Sequence, residues 1–95
     1  MTNEDKVKKI LKNNLYMTIS VATKKGDPWI SNLYYAYDKD YNLYWYSPKN
    51  SVHSKIIAQN PQVAFAIFNS TATGDDVDAV YIKKHTLTKS LNVLN

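Results

Sequence analysis

The sequence predicts a mainly β protein in which five short antiparallel strands form a small β-barrel, closed or open, with short helices. Apolar and polar side chains alternate over residues 15–22, as in a strand with one buried face. Turn-forming residues recur between such runs, at residues 24–28 and 38–42. One short helical stretch, residues 51–59, interrupts the series after the third strand. Tight hairpins with a single inserted helix favour a small barrel over a layered α/β fold.

The first predicted element is an amphipathic helix that we expect to pack on the barrel surface. Asn3 can cap its N-terminus. Apolar residues recur at helical spacing, and lysines occupy the other faces. The apolar positions are Val7, Ile10, Leu11 and Leu15.

Strands and turns then follow in a regular order. The predicted strands cover residues 15–22, 29–37, 43–46, 62–68 and 78–83. Gly26 can supply the positive φ that the first hairpin turn requires. Asn60 and Pro61 end the inserted helix, because proline cannot continue one. Residues 69–76 form a polar loop before the last strand.

Length and composition indicate one domain without covalent cross-links. The chain has 95 residues and no cysteine, which excludes disulfides, thiolate metal sites and thiol nucleophiles. It shows no signal-peptide pattern and no bilayer-spanning apolar run, so we expect a soluble cytoplasmic protein. We predict a barrel domain over residues 1–83 and a C-terminal tail over residues 84–95. His85 has no partner at metal-ligand spacing, and we expect it on the surface.

The positive charge of the chain is carried by lysine alone. The net charge is +4, and all 12 basic residues are lysine. Phosphate recognition must therefore use lysine, histidine, hydroxyls and backbone N–H groups, without the guanidinium fork of arginine. The lysines are scattered and no RNA-binding motif occurs, which argues against a nucleic-acid partner.

Polar side chains are concentrated where the inserted helix begins. Ser47, Ser51, His53 and Lys55 bring hydroxyls, an imidazole and an ammonium to this point. The first turn of a helix carries unpaired N–H groups and the positive end of the helix dipole, so it can seat a phosphate. Without a ligand, Ser51 is a helix cap and His53 a polar helix residue, and both interpretations stay open.

The second strand contains two small polar residues among aromatic ones. One of Ser31 and Asn32 must face inward or toward a groove, because successive strand residues alternate in direction. A small polar residue there allows the close approach of a planar ligand or binds water inside the core. The sequence leaves these alternatives equal.

Three segments follow one another along the chain: G-D-P-W-I-S-N-L-Y-Y-A-Y-D at residues 26–38, L-Y-W-Y-S-P at residues 43–48 and S-V-H-S-K-I-I-A-Q-N-P-Q-V-A at residues 51–64. In this order they resemble the pyridoxamine 5′-phosphate oxidase-like, FMN-binding split-barrel family. The likeness covers about residues 7–82. It implies a split β-barrel that binds FMN in a groove between the two barrels of a homodimer.

The resemblance also implies eight cofactor-binding residues in three groups. The group that lines the flavin ring is Ser31, Asn32 and Leu33. The group at the end of the next strand is Tyr46 and Ser47. The group at the phosphate-binding start of the helix is Ser51, His53 and, nearby, Lys55.

Departures from the family pattern limit what the resemblance implies. Val52 stands where the oxidases tend to have arginine, and Ile30 and Tyr35 stand where basic residues are expected. These differences argue against pyridoxamine phosphate oxidase activity itself. In this respect the chain resembles the flavin- or heme-associated branches of the family, which carry histidine in place of the second basic residue. The chain also ends earlier than family members usually do, without their further barrel strands.

Three functions therefore remain open. The first is an FMN-dependent oxidoreductase of unknown substrate, for which we name no catalytic residue because a flavin carries the chemistry. The second is a degenerate split barrel without enzymatic activity, either cofactor-free or heme-binding through His53. The third is a binder of single-stranded nucleic acid, on which bases would stack against exposed aromatics. The sequence predicts no metal site.

Overall fold

Two helices and five antiparallel strands make up the described part of the chain. The computed structural model describes residues 2–74 and 79–85, apart from the side chains of Lys84 and His85. The elements in chain order are α1 (Asn3–Asn13), β1 (Tyr16–Ala22), β2 (Pro28–Tyr37), β3 (Leu43–Trp45), α2 (Val52–Gln59), β4 (Gln62–Phe68) and β5 (Ala79–His85). The strands form one sheet in the order β3-β2-β1-β4-β5. This architecture confirms the predicted mainly β fold with short helices.

Most predicted element boundaries hold to within two residues. The fourth strand covers the predicted range. The first strand begins at Tyr16, and Leu15 before it is exposed rather than part of the alternating face. The division into residues 1–83 and 84–95 stays a prediction, because residues 86–95 lie outside the described ones. The predicted surface position of His85 falls on a side chain that is likewise outside them.

The N-terminus of α1 differs from the prediction, because Thr2 and not Asn3 is the capping residue. The Thr2 backbone is extended, and its hydroxyl accepts a hydrogen bond from the Asp5 N–H at 3.1 Å. The Asp5 carboxylate in turn accepts one from the Thr2 N–H at 3.2 Å. This reciprocal pair is a capping box, which satisfies two backbone donors at once. A cap at Asn3 would have lacked an acidic partner three residues later.

The hydrophobic core lies on one face of the sheet, and both helices cover it. Leu11 of α1 and Ile57 of α2 pack against this face. The Tyr35 hydroxyl donates a 2.7 Å hydrogen bond to the Leu11 carbonyl, which joins α1 to β2. The buried strand residues are Met17, Ile19, Val21, Leu33, Tyr35, Leu43, Trp45, Val63, Phe65, Ile67 and Val80. Because α2 packs against β1 and β2, its N-terminus is held beside the sheet.

The opposite face of the sheet carries large side chains that nothing in the described chain covers. We call this surface the open sheet face and define it by Tyr16, Ile30, Tyr34, Phe68 and Tyr81, which are between 53% and 79% exposed. Tyr16 and Tyr34 are register partners on β1 and β2, and their rings meet edge-on at 5.3 Å. The face also carries the polar Thr18, Ser20 and Asn32. A solvated sheet face is normally polar, so this number of exposed large side chains makes it a candidate interaction surface. Among the described residues, no helix is long and apolar enough to cross a bilayer.

The turn between β2 and β3 is organised around one carboxylate. Asp38 accepts hydrogen bonds from the Asn42 side chain and backbone, the Asp40 N–H and the Tyr44 hydroxyl, at 2.8–3.0 Å. Tyr41 completes the turn with a φ of 62°, in the left-handed region. Hydrogen bonds from Asn42, followed by that from Tyr44, lower the pKa of Asp38 from 3.8 to about 2.

We expect acid to weaken this turn through Asp38. Its pKa is lower in the folded chain than in the unfolded one, so its stabilising contribution is present above about pH 4 and is lost as the pH falls through about 2. The free energy of unfolding should be measured by urea titration over this pH range. The difference in free energy of unfolding between the native chain and Asp38→Asn should become smaller as the pH falls. A difference that stays constant down to pH 2 would show that the carboxylate charge contributes nothing.

Candidate functional site

The polar segment at the start of α2 folds as an ordered turn followed by a capped helix. The Ser51 N–H donates to the Pro48 carbonyl at 3.1 Å, which closes the turn after β3. The Ser51 hydroxyl then accepts the Ser54 N–H at 3.4 Å and donates to the Ser54 hydroxyl at 2.8 Å. This confirms Ser51 as the N-cap of α2.

A cluster of hydroxyls surrounds the imidazole of His53. Its Nδ1 lies 3.2 Å from the Ser31 Oγ of β2. Its Nε2 is hydrogen-bonded to the Ser47 Oγ and lies 3.3 Å from the Ser51 Oγ. We call Ser31, Ser47, Ser51 and His53 the His53 cluster. It joins the second strand to the strand-to-helix segment, two regions that are distant in sequence.

The electrostatics of the cluster are those of a neutral site. His53 is only 8% exposed and Ser47 only 2%. Burial lowers the pKa of the His53 imidazole from its ordinary value of 6.5, because removal from water disfavours the charged form. Its hydrogen-bond partners in the described chain are all hydroxyls, so no carboxylate offsets this effect. Near pH 7 His53 is therefore a neutral polar group.

The four other predicted cofactor-binding residues lie outside the cluster. Asn32 points to the opposite face from Ser31, where it accepts a 2.7 Å hydrogen bond from the Thr18 hydroxyl. Leu33 is buried in the core. Tyr46 is 62% exposed, and the Lys55 side chain is also exposed. The cofactor-binding role of all eight residues stays a prediction.

Sequence reasoning missed two residues that contact the cluster. The Trp29 Nε1–H donates to the Ser31 Oγ at 3.2 Å. Trp29 is 45% exposed. Its position two residues before Ser31 on one strand places both side chains on the same side, and this spacing was the available signal. Ser54, three residues after the cap, was the other omission.

The donor set of the site suits an anion better than a metal ion. Among the described residues, no three histidine, aspartate or glutamate side chains come together as metal ligands. The backbone N–H groups of Val52 and His53 make no hydrogen bond within the described chain. These N–H groups directly follow the Ser51 cap in the first turn of α2. An oxyanion at this point could accept several hydrogen bonds at once.

Comparisons with known proteins identify the fold. No family model matches the chain, and no curated protein sequence matches it. Among solved structures, it is similar to HutZ, the heme storage protein from Vibrio cholerae, with a TM-score of 0.73 and 13% identity over 87% of this chain. It is similar to the conserved hypothetical protein Rv2991 from Mycobacterium tuberculosis, with a TM-score of 0.75 and 15% identity over 90% of this chain. It also resembles an F420 reductase, with a TM-score of 0.60 and 20% identity over 68% of this chain.

These likenesses establish the split-barrel fold, but at 13–20% sequence identity they do not establish a family or a function. The chain spans 60% of the length of HutZ, 52% of Rv2991 and 51% of the F420 reductase. The fold was predicted from the resemblance of residues 26–64 to a split-barrel family, and the structural neighbours confirm it.

Proposed function

We propose that the protein is a homodimeric flavoprotein that binds FMN through the His53 cluster, and that it serves as an oxidoreductase of unknown substrate. The observation that carries the proposal is the assembly of Ser31, Ser47, Ser51 and His53 at the N-terminus of α2. The resemblance to the FMN-binding split-barrel family implied a cofactor-binding role for each of these four residues, in three separate groups. Fold neighbours that include a heme storage protein and an F420 reductase support a ligand-binding module.

The residues present fit a phosphate monoester, although arginine is absent. The N–H groups of Val52 and His53 would donate to the phosphate oxygens, and so would the Ser51 hydroxyl on turning away from Ser54. Ser47 would hold the His53 ring from the buried side. The helix dipole of α2 would add favourable potential for negative charge. Lys55 is exposed one turn further along and would screen the ligand rather than clamp it. Bound FMN would supply the hydride or electron chemistry, and the protein would hold and orient it.

The open sheet face supports the homodimer. Its five defining residues are three tyrosines, a phenylalanine and an isoleucine, and aromatic residues are enriched at protein interfaces. A second copy of the chain would cover the same surface on both partners, as two-fold symmetry requires. The family resemblance implies FMN between the two barrels of the dimer.

The visible absorption spectrum of the purified protein tests the proposal. After FMN is added and unbound FMN is removed by desalting, we expect the protein to retain flavin absorption bands near ~450 nm, as a flavoprotein does. Riboflavin, which lacks the phosphate, is the matched control and should be lost on desalting. If no flavin is retained, the degenerate split barrel gains support. A Soret band that disappears in His53→Ala would instead indicate heme.

A further inference from the structure

We propose that Trp29, acting through Ser31, fixes His53 as the tautomer that carries its proton on Nε2, so that the imidazole meets the ligand as a hydrogen-bond donor. This inference deepens the proposed function, because the ligand it specifies is the phosphate of FMN. Trp29 and Ser31 are positioning residues in this scheme, since they act through His53.

Trp29 determines which atom donates the hydrogen in each contact between itself, Ser31 and His53. An indole Nε1–H is a donor only, so the Ser31 Oγ must be the acceptor of the 3.2 Å contact between them. Ser31 keeps its own hydroxyl proton, and His53 Nδ1 lies 3.2 Å from the same oxygen. A chain in which each hydroxyl both accepts and donates is strengthened by mutual polarisation. The Ser31 hydroxyl therefore donates to Nδ1, and Nδ1 carries no proton.

The other side of the ring agrees with this assignment. With Nδ1 bare, the proton of the neutral imidazole is on Nε2, which is hydrogen-bonded to the Ser47 Oγ. The Ser51 hydroxyl already donates to the Ser54 Oγ at 2.8 Å, so Nε2 need not accept from it. In the opposite tautomer Ser31 would accept from both Trp29 and His53. Its own proton would then have no acceptor among the described residues.

The tautomer selects the class of ligand. A protonated Nε2 can donate to a phosphate oxygen that displaces or joins the Ser47 hydroxyl, and it does so without a positive charge. Ligation of a heme iron requires an unprotonated ring nitrogen with a free lone pair. Nδ1 is bare but already accepts from Ser31, so neither nitrogen presents a free lone pair to iron. The scheme therefore favours a phosphate monoester over heme at this site.

The tautomer can be observed directly in the ligand-free protein. The chain has two histidines, so with His85→Asn in every sample the remaining imidazole signals belong to His53. A proton–nitrogen correlation NMR spectrum of the isotopically labelled protein at neutral pH distinguishes a bare from a protonated ring nitrogen. We expect a bare Nδ1 and a protonated Nε2. The reverse assignment would overturn the proposal.

Variants test whether Trp29 and Ser31 cause this proton placement. Trp29→Phe removes the indole N–H but keeps an aromatic ring, and Ser31→Ala removes the hydroxyl. Both should move the two nitrogen shifts toward each other, as in a mixture of tautomers. Tyr34→Phe, which removes a hydroxyl from the other face of β2, is the control and should leave the shifts unchanged. Unchanged shifts in both Trp29→Phe and Ser31→Ala would contradict the positioning role.

FMN titration separates this inference from the proposed function. We expect Trp29→Phe to weaken FMN binding about fivefold, the equivalent of one neutral hydrogen bond. If Trp29→Phe shifts the His53 tautomer but leaves FMN affinity unchanged, the tautomer has no role in ligand binding. A native chain with the expected tautomer but no FMN affinity would support the proton placement and contradict the proposed function.

Discussion

Replacing Ser51 and His53 together by alanine is expected to lower FMN affinity about a hundredfold or more. Both side chains lie at the N-terminus of α2, where the phosphate would sit. A hydrogen bond to a charged group contributes about 1.5–3 kcal/mol, so removal of two such bonds costs about 3 kcal/mol or more. Each 1.4 kcal/mol corresponds to roughly a factor of ten in the dissociation constant. Titration of flavin fluorescence measures the change.

A second variant separates ligand loss from helix loss. Ser51→Ala also removes the N-cap of α2, which costs about 1 kcal/mol of stability. Ser51→Asp keeps a capping side chain but places a carboxylate beside the phosphate, so it should abolish FMN binding without unfolding α2. Thermal unfolding of each variant checks the fold. If Ser51→Asp binds FMN as tightly as the native chain, the phosphate does not bind at this helix.

Replacing Ile30 by glutamate is expected to dissociate the proposed homodimer. Ile30 is 66% exposed on the open sheet face, opposite Ser20 of β1. In a two-fold interface the substitution would bury two unpaired carboxylates, each at a cost of several kcal/mol. Light scattering after size-exclusion chromatography measures the mass in solution. We expect a dimer for the native chain and a monomer for Ile30→Glu.

Leu15→Glu is the matched control for this experiment. Leu15 is also an exposed aliphatic residue, at 57%, but it lies before β1 and outside the open sheet face. The control should remain dimeric and retain FMN. A native chain that is monomeric at every concentration would contradict the dimer. A dimer that survives Ile30→Glu would place the interface on another surface of the molecule.

Local patterns in the sequence predicted most of the fold. Alternation over residues 15–22 predicted β1, and Asn60 and Pro61 predicted the end of α2, because these signals depend only on neighbours in the chain. The capping residue of α1 was wrong by one position, since Thr2 and Asn3 are both good caps and the Asp5 carboxylate decides between them. The hairpins and the inserted helix predicted a small barrel, and only its split-barrel type required the family resemblance.

The candidate site could be predicted only in part. The resemblance named Ser31, Ser47, Ser51 and His53, and the structure brings these four together. It named Asn32 as well, which faces the other side of the sheet. The sequence could not separate Ser31 from Asn32, because β2 carries aromatic residues on both faces and shows no clear alternation of polar and apolar residues. The neutrality of His53 was not predictable, since the pKa depends on burial by segments far apart in sequence.

The strand order has a consequence for how the site forms during folding. β1 pairs with β2 through a short turn, but it also pairs with β4, with Ser20 opposite Ala64. The second pairing must close a loop that contains β2, β3 and α2, and such long-range closure is slow. The contact between His53 and Ser31 also joins segments that are far apart in the chain, so we expect it to form later than the β1–β2 hairpin. A ligand of the cluster therefore binds the finished fold and stabilises it by mass action, without guiding the chain toward it.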